Sequence, residues 1–355
     1  MLKPVTVMFT ASGSQFAPGI VKCLRGNGER SIRVVGGDMS DDPTNNFIVD
    51  AFHRIPAATT ENYAEAVLDI CKKEHVDVLL PQMSAELPVY RKNIKRFEDA
   101  GIHIAMTKEA TLDIANNKLN LFEFMDERSI PHADFRGVRS FDEFEQALNM
   151  LDYPKKAVCV KMTELSGSRG IRVIDANVSK FDVFAHEKPS SLIITKDDMV
   201  QILSDAPEFP ELLVMEYMPG SEYTIGLLAD KGDVLRIAGR RSPSMVMSIA
   251  QESIVEKNDR AYKIAKQVAE ELRLSGVIGM DFMFDSNGEA QLMEINPRVD
   301  ATVSAFTAAG LNLPYLCIKQ ILGEELPQTD IHYGTRLKRR YLETFTDSKG
   351  NRVDF

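Results

Sequence analysis

The segment Met293-Glu294-Ile295-Asn296-Pro297-Arg298 is the part of the chain that says most about its fold. It ends the second of two β-favouring segments, residues 277–284 and 289–295. The turn signal Asp285-Ser286-Asn287-Gly288 joins them. Two apolar segments around such a turn are typical of a β-hairpin. The pattern therefore predicts an antiparallel pair of strands that carries the polar residues of this segment.

The register of this hairpin decides which polar side chains share a face. A pairing of Phe284 with Glu289 would place Asp281, Glu294 and Asn296 on one side of the sheet, because side chains two residues apart share a face. Two carboxylates and an amide oxygen are the hard ligands that Mg²⁺ prefers, with Mn²⁺ as an alternative metal. A turn one residue longer would put the two acids on opposite faces, as solvated acids of an ordinary hairpin.

A second candidate feature begins at Lys161, at the end of a predicted strand over residues 157–161. The loop Met162-Thr163-Glu164-Leu165-Ser166-Gly167-Ser168-Arg169-Gly170 follows, and then a strand over residues 171–174. Glycines allow backbone N–H groups to approach a phosphate closely, and an ammonium group supplies a point charge. The loop is therefore a candidate triphosphate site, although most such loops are simply hairpins.

A third feature is Val214-Met215-Glu216-Tyr217-Met218, followed by a Pro-Gly turn and Glu222. An acid and apolar residues on a strand could hold adenine through the backbone, and Glu222 could hold ribose. On its own, this segment favours an ordinary edge strand that exposes its acids.

The first ~110 residues alternate short apolar strands with amphipathic helices, as parallel α/β sheets do. Strands are predicted over residues 5–9, 32–36, 76–80 and 102–105, with a helix over residues 63–73. The turn after the first strand matches the dinucleotide motif poorly, since Gly13 is followed by Ser14 and Gln15. It therefore predicts a tight turn that shapes a substrate pocket rather than a nicotinamide site.

Taken in order, these features resemble the ATP-grasp superfamily, in particular one synthetase unit of the carbamoyl phosphate synthetase large subunit and short L-amino acid ligases. The resemblance implies an α/β N-terminal domain with a parallel sheet, followed by two α+β ATP-grasp lobes. The implied segments are a pre-ATP-grasp domain (1–115), a central region with the lid lobe (116–212), a C-terminal lobe with the metal site (213–325) and a tail (326–355).

The resemblance also implies a role for each candidate residue. Phosphate or adenine contacts would come from Lys118 and Lys161, and a mobile lid from Ser166, Gly167, Ser168, Arg169 and Gly170. Adenine would contact Glu216, Tyr217 and Met218, ribose Glu222, and Mg²⁺ would contact Asp281, Glu294 and Asn296. The catalytic cations would be Arg298 at the transferred phosphoryl group, Lys161, and Arg240 on the substrate side.

The implied chemistry is phosphorylation of a carboxylate by ATP, followed by displacement of phosphate by an amine. Positioning and cations carry most of the rate in such phosphoryl transfers. Small-molecule carboxylates and amines are the expected partners. Three alternatives stay open: a carbamoyl-phosphate-type unit that works with a partner subunit, a non-catalytic ATP-binding regulator, and, with least support, a nicotinamide oxidoreductase.

Composition restricts the classes of partner. The chain of 355 residues has a net charge of −10, which argues against nucleic acid as the main partner. Its four cysteines are widely spaced and form no metal motif, as expected in a reducing compartment. No apolar run approaches the about 18 residues of a membrane span. We expect a cytoplasmic protein without membrane contact, and a homodimer stays open.

Overall fold

The structure is a computed structural model that describes residues 2–165, 169–187, 191–246, 249–340 and 342–354. The chain forms two compact units. Unit 1 contains residues 1–112, 223–281 and 295–355, and unit 2 contains residues 113–222 and 282–294. The hairpin predicted to carry the metal site therefore contributes residues to both units.

The N-terminal part of unit 1 is a five-stranded parallel sheet of order β3-β2-β1-β4-β5. Its strands are β1 Val5–Thr10, β2 Ile32–Asp38, β3 Ala51–Arg54, β4 Val78–Leu80 and β5 His103–Ile104. Its helices are α1 Ala17–Arg25, α2 Tyr63–Lys73 and α3 Leu87–Asp99, and short 3-10 turns span Pro43–Phe47 and Ser84–Glu86. The predicted parallel sheet is confirmed, and strand order reverses between β1 and β4, where open α/β sheets bind ligands.

Unit 2 is built on a five-stranded sheet of order β6-β10-β7-β8-β9, antiparallel except for the β8–β9 pair. Its elements in chain order are α4 Leu112–Ala115 (which starts at the unit boundary), α5 Lys118–Glu127, β6 Phe135–Val138, α6 Phe141–Met150, β7 Val158–Met162, β8 Ile171–Ile174, α7 Lys180–His186, β9 Ile193–Ile194, α8 Lys196–Ser204 and β10 Leu212–Glu216. Apolar residues of α6, β7 and β10 form its core, including Phe144, Val160 and Val214.

The remaining elements are β11 Glu222–Asp230, β12 Asp233–Val246, β13 Ile249–Val255, α9 Asp259–Glu271, β14 Gly276–Phe284, β15 Ala290–Asn296, α10 Ser304–Ala308, α11 Leu313–Ile321, β16 Arg336–Lys338, β17 Phe345–Thr346 and β18 Arg352–Val353. A six-stranded sheet has the order β15-β14-β11-β12-β13-β16. The tail supplies its edge strand β16 and a separate hairpin, β17–β18.

Within unit 1 the N-terminal sheet shares a core with the last helices of the chain. Phe9 and Ile20 pack in the same cluster as Phe306 and Ile318, all of them fully buried. A partly buried polar cluster accompanies this core, in which Lys319 donates to Glu29 at 2.6 Å. The loops at the carboxyl end of the parallel sheet are thereby held in the same unit as the segment after β15. No helix in the described residues is long and apolar enough to cross a membrane.

Candidate active site

The turn of the β14–β15 hairpin differs from the register on which the sequence prediction depended. The amide of Asp285 donates to the carbonyl of Glu289 at 3.0 Å, and Gly288 N donates back to Asp285 O at 3.1 Å. Asp285, rather than Phe284, thus pairs with Glu289 across a shorter loop. The predicted pairing at the turn is wrong by one residue, so the relation between the candidate ligands has to come from direct contacts.

Direct contacts do join part of the metal set in unit 1. The amide nitrogen of Asn296 donates to Asp281 Oδ2 at 2.8 Å, and Thr224 Oγ1 donates to Asp281 Oδ1 at 2.8 Å. Arg298 Nη2 donates to Asn296 Oδ1 at 3.0 Å. A carboxylate, a carboxamide and a guanidinium therefore lie on one continuous hydrogen-bonded path. Thr224 was not predicted, because a threonine inside the apolar strand β11 carries no distinguishing signal.

Beyond Arg298, the chain makes a turn that two further arginines hold. Arg240, predicted as a substrate-side cation, is only 2% exposed and contacts Asp300 Oδ2 at 3.1 Å. Arg339 donates through Nη2 to Ala301 O at 3.1 Å and to Thr302 Oγ1 at 3.3 Å. Arg240 thus lies beside the predicted site, fully enclosed by protein, and its catalytic role stays a prediction.

Unit 2 contains the third predicted metal ligand together with Lys118. Lys118 Nζ lies 3.3 Å from Glu294 Oε2 and donates to Leu165 O at 2.6 Å. Its backbone amide donates to Thr163 O at 2.9 Å, so the start of α5 is tied to the loop after β7. The predicted phosphate lysine and a predicted metal carboxylate are therefore neighbours, as a site for a metal–phosphate pair requires.

Lys161 is buried, at 9% exposure, near the end of β7. Its Nζ has one contact among the described residues, the sulfur of Met293 at 4.0 Å, and it makes no ion pair with a carboxylate there. A buried ammonium group without an anionic partner is unfavourable on its own. This arrangement is the one expected of a lysine whose partner is a bound anion.

The predicted lid is only partly visible. Ser166, Gly167 and Ser168 lie outside the described residues, whereas Arg169 is described and exposed. Gly170 adopts φ +67°, and a Cβ there would lie 2.8 Å from Met162 Cγ. A side chain at this position would therefore be both strained and crowded. The hairpin thus requires glycine at its far end, and the phosphate-binding role of the loop stays a prediction.

The predicted adenine segment follows β10. Met218 is 4% exposed, whereas Tyr217 is 38% exposed. Burial raises the pKa of Tyr217. The turn after Met218 is fixed by Gly220 N, which donates to Phe284 O at 3.1 Å. Glu222 begins β11 and is half-buried. Met218 offers an apolar surface and Tyr217 a partly exposed ring, and a flat aromatic base could pack against either. The adenine role of the segment stays a prediction.

A loop of the N-terminal sheet lies within the electrostatic reach of Arg298. Burial raises the pKa of Glu86 to about 7, against the hydrogen bond from Thr10 and the positive charge of Arg298. Thr10 Oγ1 donates to Glu86 Oε2 at 2.7 Å and accepts from Gln82 N at 2.9 Å. The loop after β4 is thereby fixed at the point where strand order reverses. Glu86 was not predicted as a site residue.

No cluster of three His, Cys, Asp or Glu side chains that could hold a metal ion occurs among the described residues. The candidate set has a different chemistry: Asp281 and Asn296 in unit 1, and Glu294 in unit 2. Mg²⁺ commonly keeps water and substrate phosphates among its ligands and needs only one or two protein carboxylates. Asp281 and Asn296 each carry a hard oxygen, and their side chains are adjacent, because Asn296 Nδ2 donates to Asp281 Oδ2 at 2.8 Å.

Two family models match the chain. Residues 208–344 match a family described as ATP-grasp in the biosynthetic pathway with Ter operon. Residues 7–105 match the PylC-like N-terminal domain. The two matches cover the N-terminal sheet and the region that holds Asp281, Asn296 and Arg298. The expected order, a parallel-sheet N-terminal region followed by an ATP-grasp region, is confirmed.

Similar proteins agree with this assignment. The arginine-specific large chain of carbamoyl phosphate synthase from Bacillus subtilis is 22% identical over 289 residues, which cover 77% of this chain and 26% of that protein. This chain thus spans about a quarter of the length of that relative.

Two solved structures share the fold. The N5-carboxyaminoimidazole synthetase from Staphylococcus aureus complexed with ADP has a TM-score of 0.64 and 14% identity, covering 92% of this chain and 80% of that chain. The biotin carboxylase domain dimer of the Hydrogenobacter thermophilus 2-oxoglutarate carboxylase, in complex with MgADP, ADP and bicarbonate, has a TM-score of 0.69 and 16% identity, covering 93% and 73%.

Proposed function

We propose that this chain, which belongs to the ATP-grasp superfamily, is an ATP-dependent ligase that joins a carboxylate to an amine and releases ADP and phosphate. The observation that carries the proposal is the hydrogen-bonded path from Asp281 through Asn296 to Arg298. It combines metal-type oxygens with a cation that has no carboxylate partner of its own among the described residues. A phosphoryl-transfer site needs both kinds of group.

In this proposal Asp281, Asn296 and Glu294 hold Mg²⁺, which when bound supplies positive charge next to the ATP phosphates. Lys161 and Lys118 contact the phosphates, and Arg298 meets negative charge on the transferred phosphoryl group. The adenine lies against Tyr217 and Met218, with ribose at Glu222. The lid is the loop of residues 166–170, and it excludes water from the reacting groups.

The reaction then proceeds in two steps. A carboxylate oxygen of the substrate attacks the γ-phosphorus, the bond to the β-phosphate oxygen breaks, and ADP leaves. The resulting acyl phosphate is attacked by the amine, a carbon–nitrogen bond forms, and phosphate leaves. Positioning and electrostatic stabilisation suffice for both steps, so no side-chain nucleophile is needed.

The similarity to a carbamoyl phosphate synthase large chain favours a second candidate. In that case bicarbonate is the carboxylate, the product is a carbamoyl or related acyl phosphate, and ammonia comes from a partner subunit. A third possibility is a regulator that binds ATP without turnover. The three differ in whether ADP is released, and in which acid stimulates its release.

A screen of ADP release separates them. The purified protein is incubated with Mg²⁺-ATP and, in turn, amino acids, sugar acids and bicarbonate, each with and without small amines or ammonium. We expect release that depends on one class of organic acid. Release with bicarbonate and ammonium would favour the second candidate, and binding of ATP without stimulation by any acid would indicate the regulator. Stabilisation against heat by ATP should be larger with Mg²⁺ than with EDTA, by mass action.

A further inference from the structure

Asp300 lies beside the Asp281–Asn296–Arg298 path and has no role in the function proposed above. Asp300 can be located relative to Gly279 of β14, which lies two residues before Asp281. An ideal Cβ on Gly279 would lie 3.4 Å from the Cβ of Asp300 and 3.6 Å from the Cβ of Asn296. The side chains of Asp300 and Asn296 therefore cover the same glycine. Because residues two apart on a strand share a face, Asp281 belongs to that face as well.

The contacts of Asp300 leave one of its oxygens with spare capacity. Oδ2 accepts from Arg240 Nη2 at 3.1 Å and from the backbone amide of Thr302 at 3.0 Å. Oδ1 has only a long contact of 3.4 Å with Arg240 among the described residues. The side chain is 16% exposed, whereas that of Arg240 is 2% exposed. The carboxylate is thus fixed by protein on one side and reachable on the other.

The surroundings of Asp300 are otherwise cationic. Arg240 forms an ion pair with Asp300 at 3.1 Å. Burial lowers the pKa of Arg339, and the negative charge of Asp300 acts in the opposite direction, so Arg339 is also within its electrostatic reach. Arg298 is two residues away along the chain. Cations are what a phosphoryl group and a carboxylate require, but they repel an approaching ammonium group and offer an amine no acceptor. A carboxylate with a spare oxygen supplies what the nucleophile needs.

We propose that Asp300 binds the N–H groups of the amine nucleophile and so directs its lone pair at the acyl phosphate. The inference rests on the proposed ligase function and names the subsite of its second substrate. In the step concerned, the nitrogen lone pair forms the carbon–nitrogen bond and the carbon–oxygen bond to phosphate breaks. The phosphate leaves, and the proton lost from nitrogen goes to the departing phosphate. Asp300 contributes a hydrogen bond throughout and does not change its charge.

The test separates the two half-reactions in Asp300→Asn. Formation of the acyl phosphate is followed by positional isotope exchange in ATP labelled with oxygen-18 at the β,γ bridge, with the acid that stimulates ADP release and no amine. The second half-reaction is followed as hydroxamate formation with hydroxylamine as the nucleophile. We expect exchange within about twofold of wild type and a KM for hydroxylamine raised at least about tenfold, equivalent to about 1.4 kcal/mol. Asp259→Asn, which changes an acid of unit 1 that is 85% exposed, is the matched control and should alter neither.

An unchanged KM for hydroxylamine overturns the proposal, and so does a parallel loss of exchange and hydroxamate formation, because Asp300 would then serve both half-reactions and not the amine alone. If Asp300→Asn does not fold, with buried Arg240 left unpaired, Asp300→Glu, which keeps the charge and displaces the spare oxygen by one methylene, is measured instead with the same expectation. If the wild type shows no acid-dependent ADP release, the ligase function itself fails and this inference fails with it.

Discussion

Replacing Lys161 by methionine should make the nucleotide-free protein more stable and its binding of ATP weaker. Lys161 is 9% exposed, and its Nζ contacts only the Met293 sulfur at 4.0 Å among the described residues. A buried ion carries a desolvation penalty of several kcal/mol unless it is paired. Methionine has a similar length and suits a site next to another thioether.

The size of both effects follows from this environment. Removing an unpaired and nearly desolvated charge should stabilise the protein by at least about 1 kcal/mol, or about 1–2 °C in the melting temperature for a chain of this size. A hydrogen bond from a charged donor contributes about 1.5–3 kcal/mol. Loss of such a bond to a phosphate should therefore raise the Kd for ATP by about 10- to 150-fold.

Denaturant unfolding without nucleotide measures the first effect, and calorimetric titration with Mg²⁺-ATP measures the second. Lys156→Met is the control, because Lys156 is 59% exposed and pairs with Asp152 on the surface of unit 2. Exposed pairs contribute little, so this variant should change neither property appreciably. A Lys161→Met protein that is less stable than wild type, or that binds ATP equally well, would refute the assignment of Lys161 to a phosphate.

Three further predictions concern other groups. Asp281→Asn and Glu294→Gln should each abolish most turnover, measured as ADP release, because each removes a charge from the proposed metal site and keeps its shape. The circular dichroism spectrum should be unchanged. Near wild-type rates would show that both residues are ordinary surface acids. Arg298→Ala should lower kcat more than it raises the KM for ATP, and the reverse pattern would place Arg298 in ground-state binding. Because burial raises the pKa of Glu86 to about 7 from 4.5, its contribution to stability is complete below pH 4.5 and is lost as pH rises through 7. In the wild type, the unfolding free energy should therefore fall by roughly 3 kcal/mol as pH rises from 4.5 to above 7, and in Glu86→Gln this fall should be absent. The same pH profile in the two proteins would show that Glu86 titrates normally.

The strongly periodic elements of the fold could be predicted from the sequence. The helix predicted over residues 63–73 is α2, and the strands predicted in the N-terminal part are β1, β2, β4 and β5. The strand β3 was missed, because three of its four residues are only half-buried, the fourth is exposed, and they lack an apolar pattern. The long pair β12–β13 was missed as well. Pro243 interrupts β12, and the pairing shifts register between Arg241 and Ser244, so the alternation is broken.

The candidate site was predicted as residue types and not as geometry. The contact of Asn296 with Asp281 agrees with the predicted shared face, although the turn pairs Asp285 with Glu289. Periodicity fixes a face but cannot fix a turn to one residue. Asp300 was missed, yet it continues an alternation of polar residues, Glu294, Asn296, Arg298 and Asp300, that would have indicated it. The partners Thr224 and Arg339 come from distant segments, and no local pattern announces them.

The most direct test of the central claim is an analysis of the products formed from ATP in the presence of hydroxylamine and the acid that stimulates ADP release. The proposed mechanism transfers the γ-phosphoryl group of ATP to a carboxylate. In this assay hydroxylamine then takes the place of the amine and attacks the acyl phosphate. It predicts a hydroxamate together with equal amounts of ADP and phosphate. Formation of AMP and pyrophosphate would contradict the account, because the acid would then be activated by adenylation at the α-phosphate.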